Sequence, residues 1–595
     1  MKTKKKIKVK KYRYIVIILI IGGLFAGLIG RLFYVMVTVS PKLKVIASDQ
    51  QKSELTIDAK RGRILDRNTN ELAISEDIYR VDLDLITVRQ TLKTSKITLA
   101  QLSNSLASIL NMKPVDVTNK INSTLPNGLP SSSAMLKRQI EKPQIDKINA
   151  LNVRGVVVSS DTKRYYTNGD FLSSVLGFVN SDDKGAAGIE FSYNKQLSGT
   201  PGSKRYEKDK NDNLLPYEDP TYVKPIDGKD VILSIDEKIQ ELAESAAEKA
   251  LKDNNAKAVN IIVMNPKNGE ILAMANKPSF DLNNPPSGII NSDNGKTLWA
   301  NASAQDNFEP GSIFKVITSA CALESNIGLN DTYSDPGSIN IDGTVIHCWD
   351  LNGHGIESFV DIIKNSCNVG FAELGKKLGK DRLVTFAKKM GFTQKTGIDL
   401  PGEASGMIRN PSQINNVDLA SLAFGQGVAV TQIQYMAAFN AVANGGTWVR
   451  PHLMKDVAHF DDSNKIIVDQ EYKDFGKKKV FDEKLAATLR QDLLKVVTEG
   501  VGRNAFVAGL DIAGKTGTAE MADPKTGRYA PDKYMSSFAG MAPASDPKIT
   551  LLISIDEPTG SKYYAGEISA PVAKDLFTQI FNYIAYKGEE NVLGN

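Results

Sequence analysis

Phe308–Glu324 reads FEPGSIFKVITSACALE, and the rest of the chain is best understood outward from it. Pro310-Gly311 opens an apolar helix, Ser312 falls in its first turn, and Lys315 follows three residues on. That spacing sets both side chains on one helix face. The helix amino terminus favours negative charge developing on the serine oxygen. Acyl transfer by a serine needs such a nearby base, a proton relay and a cation for an anionic substrate.

The order Ser-x-x-Lys, Ser-x-Asn, Lys-Thr-Gly supplies those parts, although each motif alone is weak. Ser-x-x-Lys recurs, among other places, at Ser160/Lys163, Ser192/Lys195 and Ser545/Lys548, beside Asp, Asn or Pro in turn-like sequence. A literal Ser292-Asp293-Asn294 precedes Ser312 in a polar loop, whereas Ser366-Cys367-Asn368 follows it inside apolar helical sequence, FVDIIKNSCNVGFAEL. Lys-Thr-Gly begins at Lys395, Lys515 and Lys525, and only LDIAGKTGTAEM, around Lys515-Thr516-Gly517-Thr518, has the apolar approach of a strand. The site expected from order, spacing and context is therefore Ser312, Lys315, Ser366, Asn368, Lys515, Thr516, Gly517 and Thr518.

Around this core, Asp236–Leu251 reads as an amphipathic helix with Ile239, Leu242, Ala246 and Ala250 on one face. AVNIIVMNPKNGEILAMA reads as a β-hairpin, ITLLISID (Ile549–Asp556) as a strand, and APVAKDLFTQIFNYIAYK as a closing helix. Strands at both ends with a helical middle predict an α+β domain whose sheet joins distant sequence. Residues 41–225 read as a mixed region of short strands and loops, with helical periodicity in LAQLSNSLASIL.

At the amino terminus, Lys2, Lys4, Lys5, Lys6, Lys8, Lys10, Lys11 and Arg13 crowd together without an acid. Tyr14–Gly30 follows without a charge, and 17 residues at about 1.5 Å each nearly cross a hydrocarbon core. Basic residues before the span put the amino terminus in the cytoplasm, as an uncleaved single-pass anchor in the cell membrane, and the rest outside. The 595 residues, 42% hydrophobic and 24% charged, can bury sizeable cores, and length alone suggests two to four domains. A net charge of +5 is too mild for a nucleic-acid partner, and 3 cysteines make no disulfide framework.

These motifs together resemble a class B penicillin-binding protein over nearly the whole chain. RGRILDRNTNELA (Arg61–Ala73) is similar to the amino-terminal box of that class. RYYTNGDFLSSVLGFVN and GAAGIEFSYNKQLSGTPG resemble its pedestal–catalytic interface, and FEPGSIFK, NSCN, FGQGVAVTQIQ, ANGG and AGKTGTAE its transpeptidase core. SSFAGMAPASDPKITLLISIDEP looks most like division- and sporulation-associated members. The resemblance implies an anchor at 1–40, a pedestal (dimerisation-like) domain at 41–225 and a β-lactamase-like transpeptidase domain at 226–595. It also implies peptidoglycan stem peptides ending in D-Ala-D-Ala as donor, covalent inhibition by β-lactams, no cofactor, and a polytopic glycan polymerase and divisome-type proteins as partners.

Carried onto these positions, Lys315 takes the Ser312 proton, Ser366 relays it, and Asn368 holds the peptide amide. Lys515, Thr516 and Thr518 bind the terminal carboxylate. The backbone N–H groups of Ser312 and Thr518 form the oxyanion hole, and Gly517 leaves the strand edge bare for an added strand. Arg61, Arg63, Asp66, Arg67 and Glu190 are expected in an ion-pair network between pedestal and catalytic domain, with Phe191 and Tyr193 in the core. Cys348 and Cys367 form a candidate redox pair outside the cytoplasm, the alternative being two buried free thiols. His347, Cys348 and His354 fall short of four partners at metal spacing, so no metal site is expected. A hydrolase of the same fold and a penicillin-acylated sensor stay open as alternatives; neither a deacylating glutamate after Asn368 nor an added signalling segment is visible.

Overall fold

The computed structural model describes residues 11–43, 52–207, 221–285, 299–461, 463, 465–473, 476–522 and 528–593. Ser292–Asn294 and Lys525 lie outside the described residues. Contacts divide the chain into one unit of Met1–Ala59 with Gly199–Asp227 and a second of Lys60–Ser198 with Gly228–Asn595.

The first unit holds a fully exposed apolar helix, Tyr12–Leu43, of 32 residues. At about 1.5 Å per residue it exceeds a hydrocarbon core of about 30 Å, so it is long enough to span with some tilt. The same unit contains an antiparallel sheet of Lys52–Ile57, Gly202–Glu207 and Thr221–Val223.

In the second unit, five antiparallel strands form one sheet. They are β1 (Ala258–Met264), β2 (Ile271–Lys277), β3 (Ala513–Ala522), β4 (Tyr529–Ala542) and β5 (Ile549–Asp556), in the order β2-β1-β5-β4-β3. Alternation along β1 decides which layer each side chain joins. Val259, Ile261 and Val263 pack with helices α1 (Glu237–Asp253) and α4 (Ala565–Lys587). Ile262 and Met264 face the opposite core with helices α2 (Lys315–Ser325) and α3 (Asn368–Leu378). Asp236 caps α1 by accepting from the N–H groups of Lys238 and Ile239, and Ile239, Ala243, Ala247 and Ala250 are its buried apolar stripe. Strand β3 is therefore an edge, and the outer layers place both α2 and α3 on the side of the sheet where the motifs meet.

The region before residue 226 is more regular than its sequence suggests. Glu71–Asp84 is a 14-residue strand, and Leu85–Thr94, Leu99–Leu110, Pro114–Ile121 and Lys142–Ala150 are helices packed on it around Leu83, Leu102, Leu106 and Ile145. Ser160, expected in a turn, lies instead in the strand Val156–Tyr166, paired opposite Tyr79. The sheet continues across the expected boundary at 226, because Ile64–Leu65 pairs in parallel with Val231–Ile232.

Two ion pairs cross this junction, and a third cluster lies on its near side. Glu190, expected in the network across the junction, is instead fully buried within the region before 226, between Arg61 Nε at 2.7 Å and Arg164 Nε at 2.6 Å. Arg63 pairs with Asp230 at 2.8 Å and Arg67 with Glu270 at 3.3 Å. Asp66 does not join these pairs; its carboxylate accepts from the N–H groups of Asn68, Asn70 and Glu237 and so shapes a turn. Tyr193 packs against the core and donates to Asp399, but Phe191 is 53% exposed, a correction to the core reading. Its short helix, Gly188–Ser192, turns Ile189 and Glu190 inward and the next residue out.

Candidate active site

The nucleophile turn is built by close approach of backbone. Gly311–Phe314 is a 3₁₀ turn leading directly into α2, with Ser312 partly exposed and Lys315 fully buried. Gly311 has φ of +54°, and a Cβ there would lie 2.8 Å from that of Ala519 on β3. The turn is held from behind by Gly311 N–H donating to Gly425 O at 3.1 Å and by the buried Tyr435 hydroxyl donating to Ile313 O at 3.0 Å.

The second motif arrives on a strained turn. Ser366 has φ of +55°, in the left-handed region that a serine rarely occupies. Cys367 then caps α3, its sulfur accepting from Gly370 N–H at 3.1 Å. A thiol thus takes the place usually filled by Ser, Thr, Asp or Asn.

Strand β3 brings Lys515 to the same point. Ser366 Oγ lies 2.8 Å from Lys515 Nζ and 3.2 Å from Lys315 Nζ. Lys315 also donates to Ser366 O at 2.8 Å and to Asn368 Oδ1 at 2.8 Å, and Lys515 donates to Thr516 O at 3.0 Å. Burial lowers the Lys315 pKa to about 8, against the opposing charges of Cys367, Cys348 and Glu357. Burial also drives Lys515 well below the ordinary lysine range, with the neighbouring Lys315 charge adding to it. Two ammonium groups on one buried hydroxyl repel in a low dielectric, so the pair favours sharing a single charge.

Ser312, Ser366, Asn368, Thr516 and Thr518 line a groove of about 760 Å³ with Gly311. Lys515 does not reach its wall, being fully buried behind Ser366. Gly517 differs from its sequence reading. A Cβ there would point at the nucleophile turn, 2.9 Å from Ile313 Cγ2 and 3.2 Å from Pro310 O, so the missing side chain lets β3 lie against that turn. Sequence reasoning missed the groove's aromatic shelf, where Tyr534 stacks on Tyr563 at 4.3 Å and Tyr563 on Tyr564 at 4.4 Å. The adjacent tyrosines just before α4 were the available signal.

Cys348 and Cys367 come together as free thiols. His347 turns away to line the groove, while Asp335 and Cys367 join Cys348 and His354. The sequence, which led to no metal site being expected, does not reveal this cluster, because two of its four groups come from distant segments.

Comparison with known proteins agrees with this geometry. The family profile described as "Penicillin binding protein transpeptidase domain" matches residues 259–578, and "Penicillin-binding Protein dimerisation domain" matches 56–233. The chain belongs to the penicillin-binding transpeptidases. It is 36% identical to stage V sporulation protein D of Bacillus subtilis over 94% of this chain and 84% of that one. It is 30% identical to the probable peptidoglycan D,D-transpeptidase PenA of Neisseria meningitidis, covering 96% of this chain and 92% of the relative. Among solved structures, penicillin binding protein 2X of Streptococcus thermophilus superposes with a TM-score of 0.70 at 25% identity, covering 90% of this chain and 81% of that one. Within this family the Ser312 turn, the Ser366 turn and strand β3 carry the three motifs in the expected order.

Proposed function

We propose that the protein is a serine peptidoglycan D,D-transpeptidase in which Ser312 is the acyl acceptor. The observation that carries the reading is Ser366 Oγ held between Lys315 and Lys515 beside the groove that Ser312 lines. As an ammonium, Lys315 commits its three N–H groups to Ser366 O, Ser366 Oγ and Asn368 Oδ1. It becomes a base on losing one of these protons, which its pKa of about 8 allows in a fraction of molecules at neutrality.

Ser312 Oγ then attacks the carbonyl carbon of the penultimate D-alanine, and its proton moves to Lys315. The oxyanion is stabilised by the N–H groups of Ser312 and Thr518, at about 3–4 kcal/mol per donor. When the C–N bond to the terminal D-alanine breaks, the leaving amine takes a proton relayed by Ser366. An amine of a neighbouring stem peptide attacks the ester, forms the cross-link and returns a proton to Ser312. The donor lies along the edge of β3 as an added strand. Thr516 and Thr518, which line the groove, bind its carboxylate, while buried Lys515 holds the Ser366 hydroxyl from behind by a hydrogen bond of 2.8 Å. A β-lactam enters by the same acylation.

The relatives' names support peptidoglycan cross-linking, and that of the Bacillus subtilis relative supports a place in sporulation. The basic cluster before the apolar helix supports a cytoplasmic amino terminus. By analogy with its class, a polytopic glycan polymerase supplies uncross-linked strands to it.

The test is product analysis with the full chain in detergent and a synthetic stem pentapeptide plus an amine acceptor. Expected are free D-alanine and an acceptor-linked peptide, both lost in Ser312→Ala. Hydrolysed tetrapeptide without acceptor adduct would make it a carboxypeptidase instead.

A further inference from the structure

Beneath the Ser366 turn, four potential metal ligands converge from separate segments. Asp335 ends the strand Tyr333–Asp335, Cys348 and His354 lie in the loop after the hairpin Ser338–Ile341/Thr344–His347, and Cys367 caps α3. Their ligand atoms all lie within 4.8 Å of one another. Cys348 Sγ is 3.6 Å from His354 Nδ1, Cys367 Sγ 3.2 Å from Asp335 Oδ2, and His354 Nδ1 2.7 Å from Asp335 Oδ2. The Asp335 side chain is 0% exposed and that of His354 12%, and both cysteines are buried.

A tetrahedral zinc with Zn–S of about 2.3 Å and Zn–N or Zn–O of about 2.0–2.2 Å sets neighbouring ligand atoms roughly 3.3–3.8 Å apart. The sulfur–nitrogen edge already has that length, the sulfur–oxygen edge must open by about 0.4 Å, and the nitrogen–oxygen edge by about 0.6 Å. Two thiols, an imidazole and a carboxylate are a donor set suited to zinc. A second observation points the same way: Glu357, also buried in this corner, has an Oε2 without a hydrogen-bond partner. Supporting groups are in place too. Gly337 N–H donates to Asp335 Oδ1 at 2.8 Å, and Asn365 donates to Glu357 Oε1 at 2.9 Å.

We propose that Asp335, Cys348, His354 and Cys367 bind one zinc ion, which ties the Ser366–Asn368 turn to the 335–354 segment. Four protein ligands leave no open position, so the site is structural rather than catalytic. Binding takes the two thiol protons, which pass to solvent, and leaves His354 neutral. The ion fixes two things the groove depends on. One is the left-handed Ser366, adjacent to a ligand. The other is the wall formed by Val345, His347 and Trp349, which is joined to the turn by Asn368 Nδ2 donating to His347 O at 3.3 Å and Trp349 Nε1 donating to Asn365 O at 2.9 Å. These four residues are positioning groups and do not touch substrate.

The experiment is metal analysis of the full chain, purified in detergent with a histidine-free tag under oxygen exclusion. The expected result is about one zinc per chain retained through gel filtration, falling at least tenfold in Cys348→Ser and Cys367→Ser but not in Cys321→Ala. Cobalt(II) loaded into the stripped protein should give the thiolate charge-transfer band and intense visible bands of a tetrahedral site. A strong chelator applied to the parent should lower its melting temperature and slow acylation by fluorescent penicillin, both restored by zinc. The parent measurements stand even where a variant fails to fold. Zinc far below one per chain after reloading, zinc unchanged in both serine variants, or a Cys348–Cys367 disulfide in the purified parent would each overturn the proposal.

Discussion

Replacing Gly517 by alanine tests the fit between strand β3 and the nucleophile turn. The new Cβ would sit 2.9 Å from Ile313 Cγ2, 3.1 Å from Ile313 N and 3.2 Å from Pro310 O. Ordinary carbon–carbon contact is about 3.5–4.0 Å, so the turn must retreat by roughly half an ångström. It has little room to do so, since Tyr435 and Gly425 hold it from behind and Ile313 is fully buried. Overpacking of this kind costs about 1–3 kcal/mol. A displacement of about 1 Å at reacting groups can cost a hundredfold, so half of that is expected to slow acylation by roughly ten- to a hundredfold. The assay is time-resolved labelling by fluorescent penicillin across drug concentrations, with thermal unfolding alongside. The loss should appear in the first-order acylation step, with the non-covalent binding constant little changed. An acylation step within twofold of the parent, or a loss confined to binding, would refute the fitted-turn reasoning and favour a bare edge for substrate.

The acylation rate should rise about tenfold between pH 7 and pH 9, because the proton acceptor Lys315 has a pKa lowered to about 8 and is mostly protonated at neutrality. A rate that falls over that range would contradict its role as base. Glu190→Gln leaves Arg61 and Arg164 buried with little compensating charge. It should lower stability by about 3–5 kcal/mol in urea unfolding, and a loss below about 1 kcal/mol would count against the buried cluster. Tyr435→Phe removes the donor to Ile313 O. It should destabilise by about 1–3 kcal/mol and slow acylation several-fold; an unchanged rate would mean the turn holds itself.

The sequence was most legible where period and punctuation are local. The hairpin of β1 and β2, the capped helix α1, strand β5 at Ile549–Asp556 and the helix after Ser312 all follow from alternation, 3.6-residue spacing or a capping residue. Order and context also picked out Ser312, Ser366 and Lys515 from their repeats, and the fold brings them together. What stayed hidden depends on approach between distant segments. The burial of Lys515 behind Ser366 follows from α2 and β3 meeting, which no window of sequence records. Gly517 looks the same whether its missing Cβ clears a substrate or a neighbouring turn. Asp66 reads as an ion-pair acid but finds two backbone donors in its own turn and a third at the start of α1, Glu237 N–H. Asp335 carries no local signal, and only the fold sets it beside Cys348, His354 and Cys367.

Intact mass followed by peptide mapping after exposure to a penicillin tests most directly that Ser312 is the acyl acceptor. The expected result is one drug mass per chain, located on the peptide that contains Ser312, and absent from a Ser312→Ala protein that melts like its parent. An adduct on Ser160, Ser545 or any other residue, or an undiminished adduct in Ser312→Ala, would contradict it.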